Sequence, residues 1–559
     1  GNTLNDKTIW NIMNKTADNA YLLQKGWQEM PDPLDPSKTI LYKDTNPADY
    51  NLNNPAISQD YNINMSGGND KGTYYAGLGY NRQEGLPIKT FYERYSFVLN
   101  ASYKITDWLT SSSNFNYNRA NWKNMPGSQT SEGNYFGRIM STPPTVRFQD
   151  EDGNPTLGPV AGDGNQNYQP DKWWNFNQSD KFTMVQAFQI DILKNLSVKG
   201  TANWYYSESL AESFTRDYEN TPSQFVRTRS SSASFSRNFS QTYNVVLNYN
   251  QTFAKDHNVA VMLGMEYFDR YSRSFSASGS GAPTDDFADL SLTDNGEGKR
   301  SIDSGHSDYR ILSYFGRLNY DYKGRYLLSA VFRQDGYSSL LGDNRWGFFP
   351  AVGVAWHVQD EAFMQNLDWW TQFKLRASWG QSGNAPKGTA PYVGTYSSIG
   401  DYNTSAAIAP NSMQLNKLKW ETSTEYDIGT DLGFLDNKLT MTFDYYHKET
   451  KDLLQTKVTI PSTVGYASNQ LAYYNSGRLS NIGWEYRIDY EIFRNKDWTV
   501  SANFNINRNV NKIIELPSNI AEENFSLKNG EYAQRLEPGV AVGSVSYTHL
   551  RAHETEADL

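Results

Sequence analysis

Apolar and polar residues alternate with a period of two along much of this chain. In 499–507, Val500, Ala502, Phe504 and Ile506 fall on one side, and Thr499, Ser501, Asn503, Asn505 and Asn507 on the other. In 484–490, Trp484, Tyr486, Ile488 and Tyr490 oppose Glu485, Arg487 and Asp489. In 439–445, Leu439, Met441, Phe443 and Tyr445 oppose Thr440, Thr442 and Asp444; in 374–379, Leu375, Ala377 and Trp379 oppose Lys374, Arg376 and Ser378. Successive side chains of a strand point to opposite faces, so each segment reads as a strand with one apolar and one polar face. The segment 182–191 is less regular, because Gln186 shares a face with Phe182 and Phe188. About 16 strand segments of this kind lie between Tyr61 and Arg508. Ahead of them, Ile9, Ile12, Met13, Ala20 and Leu23 recur at helical spacing, which predicts one or two short helices over residues 4–30. The stretch Pro31-Asp32-Pro33-Leu34-Asp35-Pro36 ends that pattern.

The connections have a rhythm of their own. Short turns (Thr106-Asp107, Lys194-Asn195, Ala254–Asp256, Lys323-Gly324, Asp436-Asn437, Arg494–Lys496) alternate with longer polar stretches. The latter run from Tyr117 to Lys181 and over 206–235, 273–306, 336–346, 382–419 and 451–473. A soluble sandwich or propeller explains the alternation equally well but gives no reason for long loops on one side only. A transmembrane β-barrel does, since its turns face one compartment and its loops the other. Trp108, Trp204/Tyr205, Tyr445/Tyr446 and Trp498 are expected near strand ends, as in the aromatic girdles of such barrels. The fold class is therefore all-β, a transmembrane antiparallel β-barrel.

Composition agrees. The 559 residues are 38% hydrophobic, and mean hydropathy is −0.70. No stretch approaches the roughly 20 apolar residues of a membrane helix. A barrel needs only alternate residues to meet lipid. The 39 Tyr, 27 Phe and 15 Trp suit strands and membrane–water interfaces. A net charge of −10 without long single-sign runs argues against nucleic acid as a partner. With no cysteine, neither disulfides nor thiolate metal sites arise.

Several segments, in order, resemble the SusC/RagA-type TonB-dependent transporters of Bacteroidetes outer membranes. They are Tyr61-Asn62-Ile63-Asn64-Met65-Ser66-Gly67-Gly68-Asn69-Asp70, then Phe315-Gly316-Arg317-Leu318-Asn319-Tyr320-Asp321-Tyr322 with Lys323-Gly324-Arg325-Tyr326-Leu327-Leu328, and Asn344-Arg345-Trp346-Gly347-Phe348-Phe349-Pro350. Leu375-Arg376-Ala377-Ser378-Trp379-Gly380, Leu418-Lys419-Trp420-Glu421 and Asn475-Ser476-Gly477 follow. The resemblance implies a barrel of about 22 strands around a plug, so the roughly 16 strands here are expected to form an incomplete transmembrane antiparallel β-barrel without its plug domain. It also implies a SusD-like surface lipoprotein as lid and energy from TonB–ExbB–ExbD. On that template, 1–60 reads as an extracellular loop or short helical segment between barrel strands and 61–543 as receptor barrel, with plug, TonB-interacting segment and signal peptide lying outside this stretch. Residues 544–559, from Ser544-Val545-Ser546-Tyr547 to Leu559, resemble translated sequencing adapter and are expected to be a non-native tail.

Catalysis finds little support. His257, His306, His357 and His447 are far apart without ligand spacing, and neither a nucleophile elbow nor a phosphate loop is present. No enzyme and no cofactor are expected. The oxygen-rich run around Asp150, Asp152 and Asn154 is a weak candidate for Ca²⁺, but a plain polar turn accounts for it as well. Ligand capture is the better reading. Trp122, Tyr135, Phe136, Trp173, Trp174, Phe176, Tyr392 and Tyr396 sit in or near the long loops. Their flat faces can stack on sugars or pack on peptide side chains, or instead pin loops to one another or to a lid. Arg376, Arg487, Glu485 and Asp444, on polar strand faces, are read as lumen charges that either tune selectivity or pair with each other and a plug. The expected function is TonB-dependent import across the outer membrane of a large nutrient, a glycan before a peptide. A passive porin-like channel and a non-transporting surface adhesin are the alternatives.

Overall fold

The computed structural model describes residues 11–124, 139, 142–154, 156, 173–221, 224–367, 369–387, 392–402, 405–456, 458–468, 470–516, 525–526, 532–534, 537–543 and 545–547. Sixteen strands form one antiparallel sheet in strict chain order. They are β1 (Ser58–Asn69), β2 (Gly72–Glu84), β3 (Phe91–Thr106), β4 (Leu109–Lys123), β5 (Trp173–Leu193), β6 (Leu196–Thr215), β7 (Ser230–Phe253) and β8 (His257–Gly279). Then come β9 (Arg300–Tyr322), β10 (Tyr326–Tyr337), β11 (Trp346–His357), β12 (Trp370–Asn384), β13 (Glu421–Phe434), β14 (Leu439–Lys451), β15 (Arg478–Arg494) and β16 (Thr499–Glu515). The sheet is an open wall, because β1 and β16 pair only with their chain neighbours.

The strands run longer than the alternation alone indicates, so the expected loops shrink. The Tyr117–Lys181 connection contracts to 124–172, and 206–235 to 216–229. The one-sided rhythm remains, except that 358–369 is longer than 85–90 and 338–345 at the other end. At one end the connections are 70–71, 107–108, 194–195, 254–256, 323–325, 358–369, 435–438 and 495–498. At the other they are 85–90, 124–172, 216–229, 280–299, 338–345, 385–420 and 452–477. Tight turns at the first end demand unusual backbone. Lys323 and Gly324 take φ of 56° and 68°, so two of the three residues of the 323–325 turn lie in the left-handed region.

Register turns alternation into a continuous apolar face. Ile63 lies opposite Leu78, Leu78 opposite Phe97, Phe97 opposite Tyr117 and Tyr117 opposite Phe182. Across the middle, Ala330 faces Val352, and Val352 faces Trp379. At the far side, Ile428 faces Tyr445, and Tyr445 faces Trp484. Ile63 is 75% exposed and Ile428 63%, so no described residue covers the face at these positions. Gln186, the irregularity on it, donates to Ser111 Oγ at 2.9 Å and accepts from Ser113.

An aromatic band marks the short-turn end. Tyr322, Tyr326 and Trp356 stack in series, and Trp369, Trp370 and Phe434 pack together. Trp108 and Trp498 stand exposed in turns there, as expected. Trp204 and Tyr445, by contrast, fall well inside strands, because those strands extend beyond the expected ends. Glu361, in the turn after β11, holds this band. It accepts from the Tyr326 hydroxyl at 2.5 Å and Trp356 Nε1 at 3.0 Å, and pairs with Arg325 at 2.9 Å. The Tyr326 bond does most to hold the Glu361 carboxyl below its ordinary value, with Trp356 and Arg325 adding to it against the opposing effect of burial. A depressed carboxyl stabilises the fold fully above its unfolded value of 4.5 and loses that contribution as pH falls through the lower folded value. Glu361→Gln should therefore flatten the acid limb of the protein's pH–stability curve between 4.5 and the lower folded value, measured by unfolding in detergent micelles at stepped pH.

Of the 4–30 segment, residues 4–10 lie outside the described residues, and 11–30 are mostly not helical. Within 11–30, Ile12–Asn14 and Gln28–Pro31 are strands that flank Thr39–Tyr42 in a three-stranded sheet, and only Ala20–Lys25 is helical, as one 3₁₀ segment. Gly26 in the left-handed region stops it at once. Of the residues in that pattern only Met13 enters the buried cluster of the small sheet, with Leu22, Trp27 and Leu41, while Leu23 is exposed. An α-helix follows at Pro47–Asn51.

Candidate functional site

The long-connection end is where the chain builds structure beyond the sheet. The N-terminal unit stands there: Asn53 donates to Gly85 O at 2.8 Å, and Asn11 N and Thr45 N donate to Thr145 O and Pro144 O, each at 2.7 Å. Tyr50 stacks on Phe148 at 5.5 Å. Three further loops lock together around buried Tyr337, Leu340 and Leu418. Trp420 Nε1 donates to Arg345 O at 3.1 Å, Lys419 N donates to Asn475 at 2.8 Å, and Leu454 N donates to Glu421 at 2.9 Å. The 216–229 and 280–299 loops meet at Asp285, which accepts from Asp217 N at 2.9 Å and pairs with Arg229 at 3.0 Å. Burial alone would raise the Asp285 carboxyl; the Asp217 N–H and the Arg229 guanidinium outweigh it and hold it below its ordinary value. These loops are anchored by their own polar groups, which suits a preformed capture surface.

The candidate aromatic residues are not gathered into one site. Trp122 ends β4 on the polar face. Trp174 and Phe176 share their parity on β5 with Phe182 and Met184, so they stand on the apolar face, where Trp174 is 41% exposed and lies opposite Phe214. Tyr392 and Tyr396 are in the 385–420 connection, with Tyr396 67% exposed. Tyr135 and Phe136, and the Trp173 side chain, lie outside the described residues. Asp150 closes its own loop: its carboxylate accepts from Asp152 N at 3.0 Å, Asn154 N at 2.8 Å and Asn154 Nδ2 at 3.1 Å. Those bonds, the Asn154 side chain first, lower its pKa. Both carboxylate oxygens are thus occupied by amides, as in a polar turn.

The polar face carries an ion-pair network. Arg376 of β12 holds Asp431 through two bonds of 3.0 Å and also pairs with Asp444 of β14 at 2.9 Å. β13 lies between β12 and β14, and the residue in register with both Arg376 and Asp444 is Gly429. A Cβ there would stand 2.1 Å from Asp444 Oδ1 and 2.9 Å from Arg376 Cζ. The missing side chain is what lets the guanidinium reach across a strand. Arg487 pairs with Asp489 at 2.7 Å, while Glu485 has no ion pair among the described residues. Near this network a concavity of about 720 Å³ is lined by Asn258, Asp321, Ser329, Arg376, Ser378 and Asp427.

A second concavity, of about 500 Å³, opens on the polar face at the long-connection end, between β3 and β5. Trp122 lines it, together with residues that the sequence reading passed over: Tyr92, Arg94 and Lys181. The only signal for them was parity, and parity does not say which strands are neighbours.

The family described as TonB dependent receptor-like, beta-barrel matches residues 128–554. The TonB-dependent receptor P26 of Formosa agariphila is 28% identical over 500 residues, covering 87% of this chain and 48% of that protein. The TonB-dependent receptor SusC of Bacteroides thetaiotaomicron is 27% identical over 503 residues, covering 82% of this chain and 47% of its own. The chain thus spans about half the length of these curated relatives. Among solved structures, the RagAB peptide transporter superposes with a TM-score of 0.75 at 23% identity, over 89% of this chain and 55% of that one. At that identity the likeness is one of fold.

Proposed function

The chain belongs to the TonB-dependent receptor-like β-barrel family, and from that premise we propose that it forms the wall and capture loops of an outer-membrane importer of a large nutrient. The observation that carries this reading is the sidedness of the sheet. An apolar face continuous over sixteen strands meets lipid, short turns cluster at an aromatic band, and every anchored long loop stands at the opposite end. In this arrangement the long-loop end faces outward and receives substrate. A SusD-like lipoprotein closes over that end, as the kinship with SusC and the likeness to RagAB support. Transport energy comes from TonB–ExbB–ExbD acting on a plug, which none of the described residues form. The cargo is an oligosaccharide before a peptide, because glycans are the commoner cargo that the resemblance to SusC/RagA-type transporters implies; the loop aromatics suit either. Residues 544–559 are proposed to take no part.

In cells, uptake of a labelled oligosaccharide cargo should stop when a protonophore collapses the inner-membrane gradient, and again when the gene for the lid lipoprotein is deleted. A passive channel would keep passing cargo under both treatments. A surface adhesin would bind cargo without accumulating it.

A further inference from the structure

We propose that the hollow between β3 and β5 is a binding subsite for an anionic sugar residue, one bearing a carboxylate or a sulfate ester. The inference rests on the importer reading above and names the class of its cargo.

The hollow follows from register. Three cross-strand rows lie side by side on the polar face. Tyr92, Trp122 and Asn177 form the outermost row. Arg94, Ala120 and Ser179 form the next, and Ser96, Asn118 and Lys181 the third. Ala120 occupies the centre with only a methyl group, so the long side chains around it rim a depression instead of filling it. Two strand spacings, about 10 Å, separate β3 from β5, which sets the width. The rim of Trp122 is fixed from below, because Asn177 donates to Trp122 O at 3.3 Å and Asn175 donates to Asn124 O at 2.9 Å.

The chemistry of the rim is specific. Arg94 and Lys181 both line the hollow, and no carboxylate lines it with them. Neither has an ion pair with any described residue, whereas Arg82 and Arg119, on the opposite face of the neighbouring strand positions, pair with Glu93 and Asp180. Arg94 and Lys181 stand on opposite sides of the hollow, two strands and one row apart, and an anion held between them is attracted by both while accepting charge-assisted hydrogen bonds. Tyr92 and Trp122, directly opposite one another, offer flat faces to the C–H side of a sugar ring. Asn118 and Ser179 supply a donor and acceptors for its hydroxyls. An acidic peptide would satisfy the cations but has no flat ring to stack on the aromatic pair, so the saccharide is favoured.

The test is binding to the full protein in detergent micelles, with three probes of matched length: oligogalacturonate, a neutral galacto-oligosaccharide and oligoglutamate. Oligogalacturonate should bind tightest, and its affinity should fall as salt rises. Arg94→Gln and Lys181→Gln should each weaken it about tenfold, as expected for loss of a bond to a charged group. Arg94→Lys should retain most of the affinity, and Ala120→Trp, which fills the hollow without touching a charge, should abolish it. Heat-modifiable gel migration identifies variants that have failed to fold. The proposal is overturned if oligogalacturonate binds no better than the neutral probe, or if the two charge-removing variants bind it as the parent does. Equal, variant-sensitive binding of oligoglutamate would overturn the saccharide assignment. In the first two cases energised uptake of another cargo would leave the importer reading standing; loss of uptake under no condition tested would sink that reading separately.

Discussion

Val352→Arg will prevent the protein from inserting stably into bilayers. Val352 lies on the apolar face, 39% exposed, with Ala330 on one side and Trp379 on the other. It stands two same-face positions from Trp356 in the aromatic band at the short-turn end, which places it toward the middle of the lipid-facing belt. A charge at the bilayer midplane of a barrel costs about 2–4 kcal/mol. That is a large part of the stability of an ordinary domain, roughly 5–15 kcal/mol. Ser329→Arg is the matched control. Ser329 is on the polar face, opposite Gly353, so a long side chain there has room and water. Folding into lipid vesicles, followed by heat-modifiable gel migration, should separate the two variants. Equal insertion of both would mean that the apolar face does not meet lipid, and the transmembrane reading would fall with it.

Gly429→Val should cost more than any exposed substitution in the wall. The new side chain would collide with Asp444 and with the Arg376 guanidinium that reaches over it. Removing one partner of a buried ion pair costs about 3–5 kcal/mol. Here Arg376, Asp431 and Asp444 keep 29%, 24% and 23% of their side-chain surface exposed. Solvent screening lowers the loss to about 2 kcal/mol. Overpacking against neighbouring strands adds about 1–3 kcal/mol. Urea unfolding in micelles should show a loss of about 3–5 kcal/mol, the sum of those two effects. Arg376→Met alone should cost less. Combined with Gly429→Val it should add little, since the pair is already broken. Full additivity of the two would show that Gly429 does not serve the Arg376–Asp444 contact.

Much of this architecture was legible in the residues. Strand number, the two faces and the side on which long connections fall all follow from local periodicity and turn chemistry, which are properties of adjacent residues. Ile63, Val352 and Ile428 announce the apolar face by alternation alone, and Lys323-Gly324 announces its hairpin by the conformations it tolerates. Loop lengths were overread because polar strand ends that rise beyond the apolar belt, as in 206–215 and 230–235, no longer alternate cleanly. Within 11–30, short strands replace most of the expected helix for a related reason. Spacing of five apolar residues does not distinguish a helix from short strands that meet through a distant third, here Thr39–Tyr42.

The candidate site was the least legible part. Trp174 and Phe176 were chosen for their proximity in sequence to other aromatics, yet parity puts them on the face away from Trp122. Arg94 and Lys181 are 87 positions apart in the chain, and nothing local connects them. The sequence by itself determined that strands form, which residues share a face of each, and where the chain turns, because those depend on neighbours one to four positions away. Only the tertiary structure decided which strands lie side by side and in what register. That register places Gly429 under the Arg376–Asp444 pair and Ala120 at the centre of a cationic hollow. Cross-strand contacts join residues at separations no local pattern encodes, and it is these contacts that make a site.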